Sequence, residues 1–418
     1  MVEPDPQGKL TLRILIGMGL GLALGLLLNV VGIQGQIGDL LVDGLLHVGG
    51  AIFLASLNLL VVPLVLVSLI CGTASLDDLT KLGRVGGKTL ALYLATTAIA
   101  ISLAIGFAVL VQPGTGFALS TDVTFQPTEP PPLSQVFIDL VPTNPVKALA
   151  DGNMLQIIVF AALFGVALTS AGETGRRLLG IFADLNDVVM RLVMILMQLA
   201  PYGVFCLIAK VFAQQGYEAF GHLAKYFFLV LVVLVLHTAI TYSGLLRLLG
   251  GLSPLQFFRK MRPPVAVAFS TASSGATLPV TLRTVEQGLG VDNQIASFTL
   301  PLGATINMDG TAIMQGVATV FIAQAYGIDI HMGGYLMVVL TATLASIGTA
   351  AVPGVGLVML AMVLRQVNLP VEGIGLIIGI DRLLDMTRTA VNITGDAAVT
   401  CVVAKSEGAL DLDTFRSR

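Results

Sequence analysis

The chain has 418 residues, 55% of them hydrophobic and only 11% charged, with a formal net charge of -3 and a mean hydropathy of +0.91. Soluble domains average about 25% charged residues, so this composition excludes an ordinary soluble protein. Repeated apolar runs of about 20 residues match about 30 Å of hydrocarbon at 1.5 Å per residue, which makes it a polytopic membrane protein in contact with the lipid bilayer. The small net charge and the lack of a basic cluster give no reason to expect a nucleic-acid partner. Cys71, Cys206 and Cys401 stand alone in apolar runs, which argues against a disulfide framework or a structural zinc site.

In chain order, ordinary spans are expected near 11–32, 43–70, 88–112, 152–171, 186–213 and 222–250. The first follows Lys9 and Arg13 but is long, lacks a small-residue cleavage site and leads into further spans, so it reads as a span and not as a cleavable signal. Within it, Gly17, Gly21 and Gly25 are spaced by four, a pattern that lets two helices pack closely. A phosphate-binding glycine loop would need a preceding strand, and none is expected. The segment 112–135 has no Lys or Arg and is rich in Pro, Gly and Thr, as suits an external loop. Basic residues of the short loops set the orientation. Lys9, Arg13, Lys81, Arg84, Lys88, Arg176, Arg177, Arg191, Arg247, Arg259, Lys260 and Arg262 fall on one side, and few fall on the other. Both termini are therefore expected in the cytoplasm, with the chain in the inner or plasma membrane. His237 lies mid-run and is expected to be a buried structural residue.

From 255 to 405 the pattern changes, and Gly, Pro, Ser, Thr and charged residues interrupt the apolar stretches. Unpaired backbone groups cost several kcal/mol in hydrocarbon, so irregular backbone is tolerated only where it lines a cavity. Two segments read as re-entrant hairpins, with apolar arms too short to cross and return. The tip of one runs from Ser270 to Pro279 and includes Ser273 and Ser274; the tip of the other runs from Ser346 to Gly356. Free helix N-terminal amides at such tips attract anions. Between them lies Thr305-Ile306-Asn307-Met308-Asp309-Gly310-Thr311, where Asn, Asp and Gly invite local unwinding. Unwound carbonyls beside a carboxylate form a hard oxygen cage suited to a small hard cation.

The most concentrated feature is 381–396, DRLLDMTRTAVNITGD. Asp385, Arg388, Thr389, Asn392 and Asp396 share one face at about 100° per residue, while Leu383, Leu384, Val391 and Ile393 take the other. Ionisable groups inside a span cost about 2.5–3.5 kcal/mol each, so they face a cavity and mark a solute or ion path. A structural Asp–Arg pair joining two helices is the simpler alternative.

These motifs, in this order and spacing, resemble the glutamate/aspartate transporter family of dicarboxylate/amino acid:cation symporters, over nearly the whole chain and most densely from 255 to 405. The resemblance implies an all-α fold of eight transmembrane helices plus two re-entrant helical hairpins, an elevator-type transporter assembled as a homotrimer. Residues 1–70 and 136–213 would supply the scaffold, and 113–135 an external loop. The third span (71–112) would join a transport domain over 222–418. Within that, hairpin 1 lies about 255–290, span 7 about 295–327, hairpin 2 about 333–368 and span 8 about 372–405. The second hairpin would be the external gate.

By motif position, the resemblance implies that Arg388 binds a substrate side-chain carboxylate and Asp385 its ammonium. Thr389, Asn392, Ser273, Ser274, Thr311, Val352 and Gly356 would complete the site. It implies three sodium sites as well. One takes Asp396, Asn392, Gly303 and Asn307; one takes Asp309 and Asn307 with Tyr93, Thr96 and Thr97. The third takes Thr305, Met308, Ser346, Ile347 and Thr349. A second family arginine is missing at Ala272 and Met386, and Arg382 is placed to substitute. Function is then expected to be sodium-coupled uptake of L-aspartate or L-glutamate, with no enzymatic activity. Proton coupling and a C4-dicarboxylate carrier are the alternatives. A dicarboxylate carrier would not need Asp385 beside Arg388, and a neutral amino-acid carrier would lack Arg388. A channel would show polar stripes on several spans, and an intramembrane enzyme would need a nucleophile or metal set that is not present.

Overall fold

The computed structural model describes residues 6–32, 38–74, 79–116, 138, 141–347 and 354–417. The expected external loop therefore falls almost wholly outside the described residues, as does the tip of the second hairpin at 348–353. Among the described residues the chain is helical, with no β-strand beyond one isolated bridge, Val291 with Leu410.

The first third forms α1 (Pro6–Val31), α2 (His47–Ala74) and α3 (Leu79–Val111). Next come α4 (Met154–Ser170), α5 (Gly172–Met197), α6 (Ala200–Gln215) and α7 (Glu218–Leu236). Among the described residues, four stretches are long and apolar enough to cross a membrane: 12–31, 40–71, 84–111 and 220–249. The span expected at 186–213 is not one straight helix. It breaks around Gln198 and Leu199, where α5 and α6 meet at a 48° bend, and α5 begins as early as Gly172. Pro201 accounts for the break, because a proline in the first turn of α6 cannot continue the hydrogen bonds of α5.

The last half is built from shorter pieces. They are α8 (Pro254–Lys260), α9 (Arg262–Thr271), α10 (Ser274–Arg283), α11 (Asn293–Ile306), α12 (Asp309–Ala325), α13 (Met332–Ser346) and α14 (Val355–Gln366). They end with the long α15 (Ile374–Ser406) and the short α16 (Leu412–Arg416). α9 and α10 pack on each other, as do α13 and α14. At 10 residues apiece, α9 and α10 are each about 15 Å long, half the hydrocarbon thickness. Ala272 turns the chain between them in the left-handed region (φ 49°), and the Ser273 hydroxyl caps α10 by accepting from the Ala276 amide at 3.2 Å.

Helix α15 is the axis of this half. Contacts from α7, α9, α10, α11, α12 and α14 surround it, and the run from Arg388 to Ala404 is buried throughout. Its exit is fixed by Glu407, which accepts from Arg84 and from Lys88 (2.6 Å) near the start of α3. Those two cations hold the Glu407 carboxyl below its usual range.

Helix α1 lies along α6, and the spaced glycines make that possible. A Cβ on Gly21 would stand 2.5 Å from the Phe205 carbonyl oxygen, and one on Gly25 would stand 2.6 Å from that of Ala209, whereas Gly19 has nothing within 4 Å. Gly21→Val should therefore cost about 1–3 kcal/mol through overpacking and lower the unfolding temperature of the purified protein, while Gly19→Val should leave it unchanged. Equal unfolding temperatures for the two variants would contradict close α1–α6 packing.

Candidate functional site

Two backbone irregularities create the polar centre. The helix expected over 295–327 stops at Ile306 and restarts at Asp309, with Asn307 extended (ψ 92°) and Met308 non-helical (ψ 47°) between. The short polar side chain of Asn307 competes with the ladder here: its amide donates to Asp396 Oδ1 at 2.9 Å and to the Asn392 carbonyl at 3.4 Å. Asp309 falls in the first turn of α12, where the helix dipole favours a negative charge. Gly310 lets that turn reach α15, since a Cβ there would come within 2.6 Å of the Arg388 carbonyl oxygen. Its amide donates to Asn392 Oδ1 at 2.7 Å, and Asn392 donates to Met308 Sδ at 3.3 Å.

The second irregularity is a π-helical turn, His237–Tyr242, at the end of α7. Hydrogen bonding from i to i+5 stacks residues five apart, so both His237 and Tyr242 reach Asp309. Tyr242 donates to Asp309 Oδ2 at 2.9 Å and His237 Nε2 lies 3.1 Å from the same atom, while Thr97 donates to Oδ1 at 2.6 Å. All four side chains are buried. His237 is buried, as expected, and its contact with Asp309 is what the sequence reading lacked. Five-residue spacing of a histidine and a tyrosine in an apolar run was the available signal, but in a regular helix it points two ways around the axis.

Tyr93 and Thr96, from α3, meet the same region. The Tyr93 hydroxyl donates to the Thr299 carbonyl at 3.0 Å, and Thr96 lies 3.4 Å from Asn307 Oδ1. Gly303 is wedged between Asp396 and Tyr93, for a Cβ on it would be 2.6 Å from an oxygen of each. The structure therefore gathers Tyr93, Thr96, Thr97, Gly303, Asn307, Asp309, Asn392 and Asp396. Thr305 donates to the Leu302 carbonyl (2.9 Å) and Ser346 to that of Thr343 (2.8 Å), each inside its own helix. Ile347 ends α13, Met308 faces Asn392, and Thr349 lies outside the described residues. Among the described residues no three His, Cys, Asp or Glu side chains cluster as transition-metal ligands. A cation here would be held by carboxylate, amide, hydroxyl and carbonyl oxygens.

One turn further along α15 lies a charged ladder. Arg388 is completely buried, and it donates to Asp381 Oδ1 at 2.7 Å and Oδ2 at 3.3 Å, and to Asp385 Oδ1 at 2.9 Å. These carboxylates belong to its own helix, so the group does not join two helices. Asp385 Oδ2 accepts from the Gly354 amide at 3.2 Å and lies 3.5 Å from Arg382 Nη1. Asp381, which sequence reasoning left off the site, is the strongest partner of the arginine; its seven-residue spacing from Arg388 was the overlooked signal. Gly356 and Thr311 cover the guanidinium, since a Cβ on Gly356 would be 3.4 Å from Arg388 Nη2 and 3.3 Å from the Thr311 methyl. Nε of Arg388 is buried with no hydrogen-bond partner among the described residues. The Thr389 hydroxyl donates to the Asp385 carbonyl of its own helix at 2.8 Å. Ser273 and Ser274 are buried at the α9–α10 turn, and Val352 lies outside the described residues.

Removing Arg388 would leave Asp381 and Asp385 facing each other in a dry site. Arg388→Ala should destabilise the protein by about 3–5 kcal/mol, and adding Asp381→Asn should recover part of that loss. Thermal unfolding of the single and double variants checks this; equal or lower stability of the double variant would contradict the pairing.

The chain matches the model of the sodium:dicarboxylate symporter family over residues 10–406. It is 38% identical over 417 residues to the proton/glutamate-aspartate symporter of Escherichia coli K12, covering 96% of this chain and 94% of that protein. It is 34% identical over 402 residues to the proton/sodium-glutamate symport protein of Geobacillus stearothermophilus, covering 94% and 95%. It is also 36% identical over 423 residues to the neutral amino acid transporter B(0) of Bos taurus, covering 93% and 78%. The chain therefore belongs to the sodium:dicarboxylate symporter family.

Proposed function

We propose that the protein is a secondary-active symporter that takes up an acidic amino acid, L-aspartate or L-glutamate. The observation that carries this is the fully buried Arg388 beside Asp385. A guanidinium forks a carboxylate bidentately, and a carboxylate is the natural partner of an ammonium. The spare Nε donor of Arg388 adds to the argument. Both Nη groups are already committed to carboxylates, so an incoming side-chain carboxylate takes the place of Asp381 on the fork, with Nε as a further donor. The substrate ammonium then joins Asp385, in competition with Gly354 and Arg382. Ser274, Ser273, Thr311, Thr389, Asn392, Val352 and Gly356 close around the remaining polar groups. A neutral amino acid, the cargo named for the bovine relative, would leave Arg388 without this partner.

The coupling cation is sodium in this proposal. Asp396, Asn307, Asn392 and the Gly303 carbonyl form one oxygen set; Asp309, Thr96, Thr97 and Tyr93 form the other. Thr305, Met308, Ser346, Ile347 and Thr349 form a third site when the α13–α14 pair closes over the substrate. Coupling to protons instead is favoured by the crowding of Asp309, whose oxygens accept from Thr97 and Tyr242 and lie against His237. The named cargoes of the bacterial relatives include both ions.

Transport proceeds by elevator-type alternating access in a homotrimer of the inner membrane, with both termini cytoplasmic. The α13–α14 pair is the external gate, and α9–α10 is its internal counterpart. Support comes from α9 and α10, each of half-membrane length, packed on each other and against α15. The bent α5–α6 unit and α1, α2 and α4 make the scaffold.

Calorimetric binding of aspartate and serine to wild type, Arg388→Ala and Asp385→Asn tests the substrate assignment. Arg388→Ala should lose at least about tenfold in aspartate affinity while keeping serine, whereas Asp385→Asn should weaken both. An Arg388→Ala protein that still prefers aspartate contradicts the assignment. For the ion, aspartate uptake into proteoliposomes should collapse when sodium is replaced by choline at constant pH and persist without a proton gradient. The opposite pattern assigns the coupling to protons.

A further inference from the structure

Away from the charged ladder, at the end of the α9–α10 pair opposite the Ser273 turn, is a cavity of about 720 Å³. Its wall is formed by α8, the first turn of α9, the last turn of α10 with the π turn Thr284–Gly288 that follows, and the C-terminal α16. Four cations line it, Arg259, Lys260, Arg283 and Arg416, and no acidic side chain does. Lys260 is the builder of the wall. Its ammonium donates to the carbonyls of Gly288 (2.9 Å) and Thr414 (2.7 Å) and to the Ser417 hydroxyl (3.2 Å), tying three elements together. Burial, then the neighbouring Arg259, lower its pKa below the usual lysine value.

The three arginines are not neutralised. Among the described residues none of them forms an ion pair, and Arg283 has only the Gln287 side-chain oxygen at 3.3 Å. Among the described residues, none of the nearby acids Asp411, Asp413 and Glu286 forms an ion pair with these arginines. Asp411 caps α16 through the amides of Asp413 (3.0 Å) and Thr414 (3.3 Å), and Glu286 accepts from Asn293 at 2.7 Å. A concave site with three unpaired guanidiniums attracts a phosphate, which arginine forks bidentately.

The surroundings indicate which kind of phosphate. The cavity begins at Gln256, seven residues after the apolar stretch that ends at Leu249, so it sits at a membrane boundary. Leu248, Leu249 and Leu255, on the chain leading into it, are 84%, 61% and 80% exposed. Cations beside exposed leucines at that depth suit a molecule with an anionic head and an apolar tail. We propose that this cavity is a binding site for a phosphate group, presented by the headgroup of an anionic phospholipid, held by Arg259, Arg283 and Arg416 on the platform that Lys260 assembles.

The test uses purified full-length protein in zwitterionic detergent and measures binding by calorimetry. The probes are dioctanoyl phosphatidylglycerol, dioctanoyl phosphatidylcholine and inorganic phosphate. Phosphatidylglycerol should bind at least about tenfold more tightly than phosphatidylcholine, and Arg283→Gln/Arg416→Gln should remove that preference while aspartate binding is retained. Arg283→Lys/Arg416→Lys should keep a part of it. Displacement of phosphatidylglycerol by millimolar phosphate shows that the phosphate is the recognised group; phosphate binding without phosphatidylglycerol binding assigns the same site to a soluble phosphate. Equal affinity for both lipids with no phosphate binding overturns the proposal, as does wild-type phosphatidylglycerol affinity in the double glutamine variant.

Discussion

Arg388 is completely buried in the middle of α15, and an isolated charge in that position would not be tolerated. Asp381 and Asp385, seven and three residues earlier on the same helix, meet it with short hydrogen bonds. Arg382 approaches Asp385 from the other side, so the signs alternate along one face and sum to zero. Much of the second half of the chain is arranged around this ladder. Gly310 and Gly356 bring two other helices against it, and the Gly354 amide closes on Asp385 from the start of α14. A buried ion network adds little stability compared with well-packed apolar residues. In the function proposed above, the network serves to exchange one carboxylate partner for another.

A few ångströms away along α15 a second polar centre forms by different means. Asn307, Asp309, Asn392 and Asp396 are held in place by the break in the α11–α12 helix and by the π turn at His237–Tyr242. Carboxylates here face hydroxyl, amide and imidazole groups and no guanidinium, which distinguishes this centre from the ladder chemically. Asn392 touches both: its side chain receives the Gly310 amide beside Arg388 and its carbonyl receives Asn307. The two centres are thereby linked through Asn392, and in the proposed symport this link would couple solute and cation binding.

Much of this was legible in the sequence because apolar runs and their interruptions are one-dimensional signals. The break at Asn307-Met308, the turn at Ala272-Ser273 and the polar face of α15 follow from propensity and 3.6-residue periodicity. Other features were hidden for identifiable reasons. Pro201 bends the α5–α6 unit, yet a single proline in an apolar run also fits an unbroken span with a kink. His237 and Tyr242 converge on Asp309 only because the helix locally changes to i→i+5 bonding, which residue patterns do not announce. The tertiary partnership of α1 with α6 was half visible: spaced glycines showed that something packs closely, but not what. The basic cavity could not be read from the chain, since Arg416 joins it from over a hundred residues beyond Arg259 and Arg283.

An experimental structure with L-aspartate bound examines the central claim, that the ladder receives the substrate by partner exchange, most directly. The account predicts the aspartate side-chain carboxylate within hydrogen-bond distance of the Arg388 guanidinium, its ammonium against Asp385, and a lengthened or lost Arg388–Asp381 contact. Aspartate bound elsewhere, or bound with the Arg388 guanidinium still contacting only Asp381 and Asp385, would contradict it.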